Sequence, residues 1–352
     1  METTKIESAD LMRSRQIGCR GTGSLAPKRS EIGVEQLRKM LEGCYVTIPT
    51  PFQDTPKMEV NEEALRTYVR FLIDAGLDRD YATLLAGGAA GDFSTMSFDE
   101  RVRVAEVVVD EAAGVVPIAM GAQSTSTLEL VELAHAAKRI GANFIQVSCP
   151  YYFSHTQGDF EEYVRAAAAA EPELGIIIYN TFWTSQNLSF SMVERLAEIP
   201  NIVGLKWAAP RTDAMEFEDV CSHFSKRFTI IDNNLFFGMS AMPSLGARAF
   251  EVHHCNFWPE WGIKLIDEAR SKNYSELTRM LVEEGMPFYK LWVSIENEFT
   301  SGDGYLDKLC MELIGLPSSR CRPPTRDIRA AYRDATHAMM QSIGVPRLIR
   351  QN

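Results

Sequence analysis

Between Cys44 and about residue 265, short apolar or β-branched runs alternate with longer stretches in which apolar residues recur every three or four positions. Side chains repeat every two residues along a strand and about every 3.6 along a helix, so this texture predicts repeated βα units. The candidate strands are Cys44–Pro49, Ala82–Leu85, Val116–Met120, Phe144–Val147, Gly175–Tyr179, Ile202–Lys206, Phe228–Ile231 and Ala249–Val252. Between them, Ser97-Phe98-Asp99-Glu100 opens an amphipathic helix that runs to about Glu111. Thr127 starts another that Gly141 caps, and Ser191–Ile199 is a shorter one ended by Pro200.

Each strand is followed by enough chain for one crossover helix, which parallel pairing requires. Eight such units predict an α/β fold, a (β/α)8 TIM barrel with its site at the carboxyl ends of the strands. An open doubly wound sheet would normally place a Gly-rich phosphate loop after its first strand. Here that position reads Thr50-Pro51-Phe52-Gln53.

The flanks have a different texture. Residues 1–43 are polar, mixed in charge and broken by Gly21, Gly23, Pro27 and Gly33, and read as an N-terminal arm with a short helix at Gly33–Leu41. Residues 44–265 are the barrel. Residues 266–352 read as a C-terminal helical subdomain, with helices at Ile266–Arg270, Tyr274–Gly285, Tyr289–Glu298, Leu306–Leu313 and Arg326–Gly344.

Composition narrows the function classes. With 45% hydrophobic and 24% charged residues in 352, the chain has ordinary globular usage. Its 36 Lys+Arg against 47 Asp+Glu leave a net charge of −11, which disfavours nucleic acid as a partner. Arg320, Arg322, Arg326, Arg329, Arg333, Arg347 and Arg350 make the tail basic, and read as a solvated helix surface. No window approaches the roughly 20 apolar residues of a membrane span. Seven scattered cysteines without a CxxC argue against a disulfide framework and a structural zinc site. No secretory or transit layout opens the chain, so a cytoplasmic location is expected.

Chemistry is sought where barrel chemistry sits. Lys206 closes the apolar run Ile202-Val203-Gly204-Leu205, which puts an amine at the barrel mouth among apolar neighbours. Burial disfavours an ammonium and leaves an amine able to attack a carbonyl and form a Schiff base. A lysine that snorkels, or pairs with an acid at the strand end, is the alternative. Tyr179 ends the preceding strand, so two adjacent strands deliver a phenol and an amine to one rim, an arrangement suited to proton transfer in carbinolamine chemistry.

With these residues the chain resembles the dihydrodipicolinate synthase and N-acetylneuraminate lyase group of class I pyruvate aldolases and dehydratases, over roughly residues 40–320. The resemblance runs through Thr50-Pro51-Phe52, Gly87-Gly88-Ala89-Ala90-Gly91-Asp92, Pro150-Tyr151-Tyr152, Tyr179-Asn180, Gly204-Leu205-Lys206 and Gly315-Leu316-Pro317 with Arg322-Pro323-Pro324. It implies that Lys206 is the Schiff-base lysine and Tyr179 the catalytic tyrosine. It also implies that Tyr152 is contributed across a subunit interface to a proton relay, in a homo-oligomer built as a dimer of dimers. No cofactor and no metal are expected, and the partner is a small-molecule 2-oxo acid.

The chain departs from that pattern in two places. Ala89 and Ala90 stand where the family presents hydroxyl residues that bind the keto-acid carboxylate and relay protons, which leaves the backbone N–H groups around Gly88 for that task. The loop Thr181-Phe182-Trp183-Thr184-Ser185-Gln186 lacks the arginine of the synthase branch. Aromatic residues follow the strand ends instead: Phe93, Tyr151, Phe153, Phe182, Trp183, Trp207, Phe257 and Trp258. Lys206-Trp207 is similar to the hydratase-aldolase branch, which implies a 2-oxo acid with a bulky, possibly aromatic substituent.

Glu251, His253 and Asn256 after the last strand, and Asp232-Asn233-Asn234 after the seventh, are further polar candidates at the pocket wall. Adjacent His253 and His254 point apart on a strand, which disfavours a metal site. The sequence reading is a Schiff-base lyase of the aldolase or hydratase-aldolase kind. A 2-oxo acid dehydratase of the same family and a non-catalytic ligand-binding barrel remain as alternatives.

Overall fold

The computed structural model describes residues 33–182, 186–210 and 213–350. Eight parallel strands close on themselves in chain order: β1 (Gly43–Thr47), β2 (Ala82–Ala86), β3 (Ile118–Gly121), β4 (Phe144–Ser148), β5 (Gly175–Thr181), β6 (Ile202–Ala208), β7 (Thr229–Asp232) and β8 (Ala249–Glu251). All eight expected strands are present. The bounds differ mainly where β5 and β6 run on past Tyr179 and Lys206 to Thr181 and Ala208.

One short helix, α1 (Val34–Met40), precedes β1. The crossovers are α2 (Glu62–Asp74), α3 (Phe98–Ala112), α4 (Thr127–Ile140), α5 (Gln157–Ala170), α6 (Phe190–Leu196), α7 (Ala214–Phe224) and the single turn α8 (Phe237–Ser240), and α9 (Pro259–Arg270) follows β8. Their ends obey local chemistry. Ser97 and Glu100 form a reciprocal capping box at the start of α3, and Gly141 ends α4 in the left-handed conformation that glycine adopts without steric cost. The expected helix at Ile266–Arg270 is the last part of α9, a barrel helix that Pro259 opens.

The barrel floor comes from residues the sequence assigned to an arm. Leu37 and Leu41 at α1 are buried. Thr83 of β2 donates to the Met40 carbonyl at 2.9 Å, and Thr229 of β7 donates to the Arg38 carbonyl at 2.8 Å. The short helix expected at Gly33–Leu41 is present, but its packing under the barrel does not show in a polar texture with few apolar positions. The arm proper, residues 1–32, lies outside the described residues.

Beyond the barrel come α10 (Tyr274–Arg279), a π-helical stretch (Met280–Gly285), α11 (Met286–Glu298), α12 (Tyr305–Leu313) and α13 (Arg329–Ser342). They bury a core of their own around Phe257, Phe288, Leu306, Leu309 and Met340. The tail arginines are largely neutralised within the chain: Arg322 pairs with Glu100 at 2.6 Å, Arg347 with Glu260 at 2.7 Å, Arg329 with Asp327 at 2.8 Å, and Arg333 with Glu312. The six described cysteines are buried and unpaired. Among the described residues no helix is long and apolar enough to cross a membrane.

Candidate active site

Strand alternation decides what faces the barrel axis. Tyr179 and Lys206 are register partners on β5 and β6, so their side chains leave the sheet at one level and on one face. The Lys206 ammonium lies 4.2 Å from the centroid of the Tyr179 ring and 5.4 Å from that of Tyr45. At 2.8 Å it meets Glu251 at the end of β8, whose carboxylate also accepts the Thr47 hydroxyl at 3.2 Å. Lys206 is 2% exposed. The expectation of apolar neighbours is corrected here: the amine is buried, and its nearest charged group is a carboxylate.

The ring beneath this cluster is polar as well. Tyr45 donates to Gln146 at 3.0 Å inside the barrel. Burial, reinforced by the Glu251 charge, holds the Tyr45 and Tyr179 hydroxyls well above the ordinary phenol range. Asp303 adds to the effect on Tyr179, and a hydrogen bond with Asn233 opposes it. Both phenols therefore keep their protons at neutral pH and act as donors.

A second wall lies across the mouth. The turn after β8 places His253 Nδ1 3.0 Å from Asp307 on α12. Burial works against the imidazolium, but the charge of Asp307 and its hydrogen bond outweigh it and raise the histidine to about 9. Asn256 is fully buried. It donates to Asp307 at 2.7 Å and to the Thr47 carbonyl at 3.2 Å, and accepts from Tyr68 at 2.5 Å, so it braces the wall. His254 diverges to stack on Trp261, and burial lowers it to about 4. Asp303, ahead of α12, completes a group in which one ligand atom each of His253, Asp303 and Asp307 lies within 4.8 Å of the others.

The loop after β2 brings Gly88, Ala89 and Ala90 to the same end of the barrel, with Ala90 fully buried. Among the described residues the Ala89 and Ala90 N–H groups have no hydrogen-bond partner. Asp92 in this loop is held by Lys308 of α12 at 2.6 Å, an ion pair buried from solvent.

The aromatic wall is not assembled as expected. Trp207 follows an inward residue and so points outward. It is buried, and its indole N–H donates to Glu216 of α7 at 2.9 Å, which makes it a packing residue and not a pocket residue. Phe257 belongs to the helical core against Phe288, and Trp258 is wedged between the two cores. Phe182 stands half-exposed at the rim, and Trp183 lies outside the described residues. Asp232 is a turn residue: its oxygens accept from the Asn234 and Phe236 N–H groups and from Ser240.

Tyr152 is 87% exposed, has φ +85° and packs edge-on against Phe153 at 4.8 Å. Sequence reasoning missed Tyr45, Asp303 and Asp307. The alternation Cys44-Tyr45-Val46-Thr47 carried a signal for the first, since Tyr45 shares the face of Thr47. Asp303 and Asp307 had none, because only tertiary packing of α12 brings them to β8.

Comparison with known proteins agrees with this geometry. A family model described as the dihydrodipicolinate synthetase family matches residues 40–343. A 4-hydroxy-tetrahydrodipicolinate synthase of Geotalea uraniireducens is 31% identical over 311 residues, covering 87% of this chain and 100% of the relative. The crystal structure of a chloride-inhibited dihydrodipicolinate synthase from Acinetobacter baumannii, complexed with pyruvate, superposes with a TM-score of 0.75 at 25% identity, covering 87% of this chain and 99% of that one. An N-acetylneuraminate lyase from Fusobacterium nucleatum shares the fold, with a TM-score of 0.72 at 22% identity over 86% of this chain and 99% of its own.

Proposed function

The chain belongs to the dihydrodipicolinate synthetase family, whose members are class I aldolase-type lyases, and from that premise we propose that Lys206 forms a Schiff base with a 2-oxo acid. The observation that carries the reading is the buried Lys206 ammonium with Glu251 at 2.8 Å on one side and the Tyr179 ring at 4.2 Å on the other. Glu251 can accept the proton that Lys206 sheds on becoming a nucleophile. Tyr179, which holds its proton firmly, serves the oxygen of the carbinolamine as it leaves. The imine then acts as an electron sink for making or breaking a bond at the neighbouring carbon. The free N–H groups of Ala89 and Ala90 suit the keto-acid carboxylate.

The curated relatives' name implies dihydrodipicolinate synthesis, whose second reactant brings another carboxylate. The loop after β5, Thr181-Phe182-Trp183-Thr184-Ser185-Gln186, offers no arginine to hold that carboxylate, so we favour a second half that is uncharged or cationic. Among the described aromatic residues, a bulky aromatic substituent keeps Phe182 at the rim as support, since Trp207 and Phe257 pack elsewhere. A panel of 2-oxo acids with borohydride, read by intact mass, tests the reading. At least one acid should add a single reduced adduct, and a panel that leaves the protein unlabelled rules it out.

The exposed Tyr152 favours a homo-oligomer in which it reaches a neighbour's site. Mixed Tyr152→Phe and Lys206→Ala subunits should then regain activity that neither variant has alone. No recovery after verified subunit exchange would remove Tyr152 from the reaction.

A further inference from the structure

The loop that lacks hydroxyl side chains is covered by a segment that carries a titratable one. Gly304 has φ +76°, and a Cβ there would collide with the Ala90 carbonyl oxygen, so the chain at 303–304 lies flush against the Ala89–Ala90 loop. Only glycine combines this backbone conformation with so close an approach. Asp303 is fixed beside it: one carboxylate oxygen accepts the Gly304 N–H at 2.8 Å, and the Asp303 carbonyl accepts from the Cys321 thiol at 3.6 Å. The carboxyl is half-buried, neighbours His253 and Asp307, and interacts electrostatically with Lys206 and Tyr179.

We infer that Asp303 is the group that takes a proton from, and returns it to, the carbon beside the Lys206 imine, in place of a hydroxyl relay at Ala89 and Ala90. The inference rests on the Schiff-base reading above. In the step, the C–H bond next to the imine breaks and its electron pair forms a C=C bond. The C=N π pair moves onto the positively charged nitrogen of the protonated imine to give the neutral enamine, and the Asp303 carboxylate becomes a carboxylic acid. The reverse step returns that proton, or one exchanged from water. Burial raises the Asp303 carboxyl to about 7, with Glu251 and Asp307 pushing in the same direction and His253 and Lys206 against it. A carboxyl so placed exchanges protons in both directions near neutral pH. The groups acting on it are Tyr179 on β5, Lys206 on β6, Glu251 on β8, His253 in the turn after it, Tyr305 and Asp307 on α12, and Cys321.

The test uses pyruvate alone, so it needs no knowledge of the second substrate. In D2O the wild-type protein should exchange the pyruvate methyl protons, followed by proton NMR, and the rate should rise with pH through about 7. Asp303→Asn should exchange about 10²-fold more slowly and lose that rise, the usual scale for a positioned proton-transfer group, while borohydride still labels Lys206. Asp303→Glu should retain more exchange than Asp303→Asn. Exchange by Asp303→Asn within threefold of wild type, with the same pH profile, overturns the inference, as does an equal loss in both variants. So does wild-type exchange that stops with a chelator and returns with Mg2+, because the three groups would then be cation ligands. A wild-type protein that pyruvate and borohydride leave unlabelled marks failure of the Schiff-base reading itself, a separate outcome.

Discussion

The two walls of the barrel mouth were built by different rules. On the β5–β6 wall, Tyr179 and Lys206 are register partners whose inward direction follows from the two-residue repeat of a strand. On the opposite wall, His253 follows β8 while Asp303 and Asp307 arrive with a helix from the far end of the sequence. The first wall holds Lys206, the proposed nucleophile, and a firmly protonated phenol. The second holds groups that burial and mutual charge bring to titrate near neutral pH, His253 raised to about 9 and Asp303 raised to about 7. The position of the proposed nucleophile is thus a local property of the strands, and that of the proposed proton carrier Asp303 a property of how the helical tail packs on the barrel.

Three experiments sharpen that contrast. The largest effect falls on the first wall: Tyr179→Phe removes only a hydroxyl and should keep the fold while lowering turnover by about 10²-fold or more. A loss of only a few-fold would shift proton handling to the second wall. Trp207→Ala probes whether the residue after Lys206 belongs to the mouth. Its burial against α7 predicts a stability loss of about 3–5 kcal/mol by denaturant unfolding, the range for truncating a buried tryptophan. An unchanged midpoint with weakened substrate binding would return Trp207 to the pocket.

The smallest effect concerns pH. His253 has a raised folded value, so its contribution to stability is present below about 6.5 and lost as pH rises through about 9. Asp303 and Asp232 also titrate upward, to about 7 and about 6, so leaving them charged costs stability progressively above the ordinary carboxylate range. All three terms make the melting temperature fall between pH 5 and pH 9.5 by a few degrees. Asp307→Asn should flatten the upper part of that fall, and an unaltered profile would separate the His253–Asp307 pair from it.

What was legible in the sequence follows the same division. The strands stand out because apolar runs bounded by turn residues have few alternatives in a βα chain, and the Ser97 and Gly141 caps show because capping is local chemistry. Lys206 and Tyr179 were readable as polar residues ending apolar strands. The same rule, carried one residue further, turns Trp207 outward, and its aromatic character alone was misleading. The seat of helix α1 under the barrel, the bracing contacts of Asn256 and the place of Asp303 were not legible, since each depends on a partner remote in sequence: Thr83 and Thr229 for α1, Asp307 for Asn256, and Ala90 for the residue after Asp303.

The account stands most directly on the identity of the imine-forming amine. Peptide mapping of the adduct left by pyruvate and borohydride should place it on Lys206 alone, and Lys206→Ala should carry no adduct and show no turnover. An adduct on any other lysine, or turnover retained in Lys206→Ala, would contradict it.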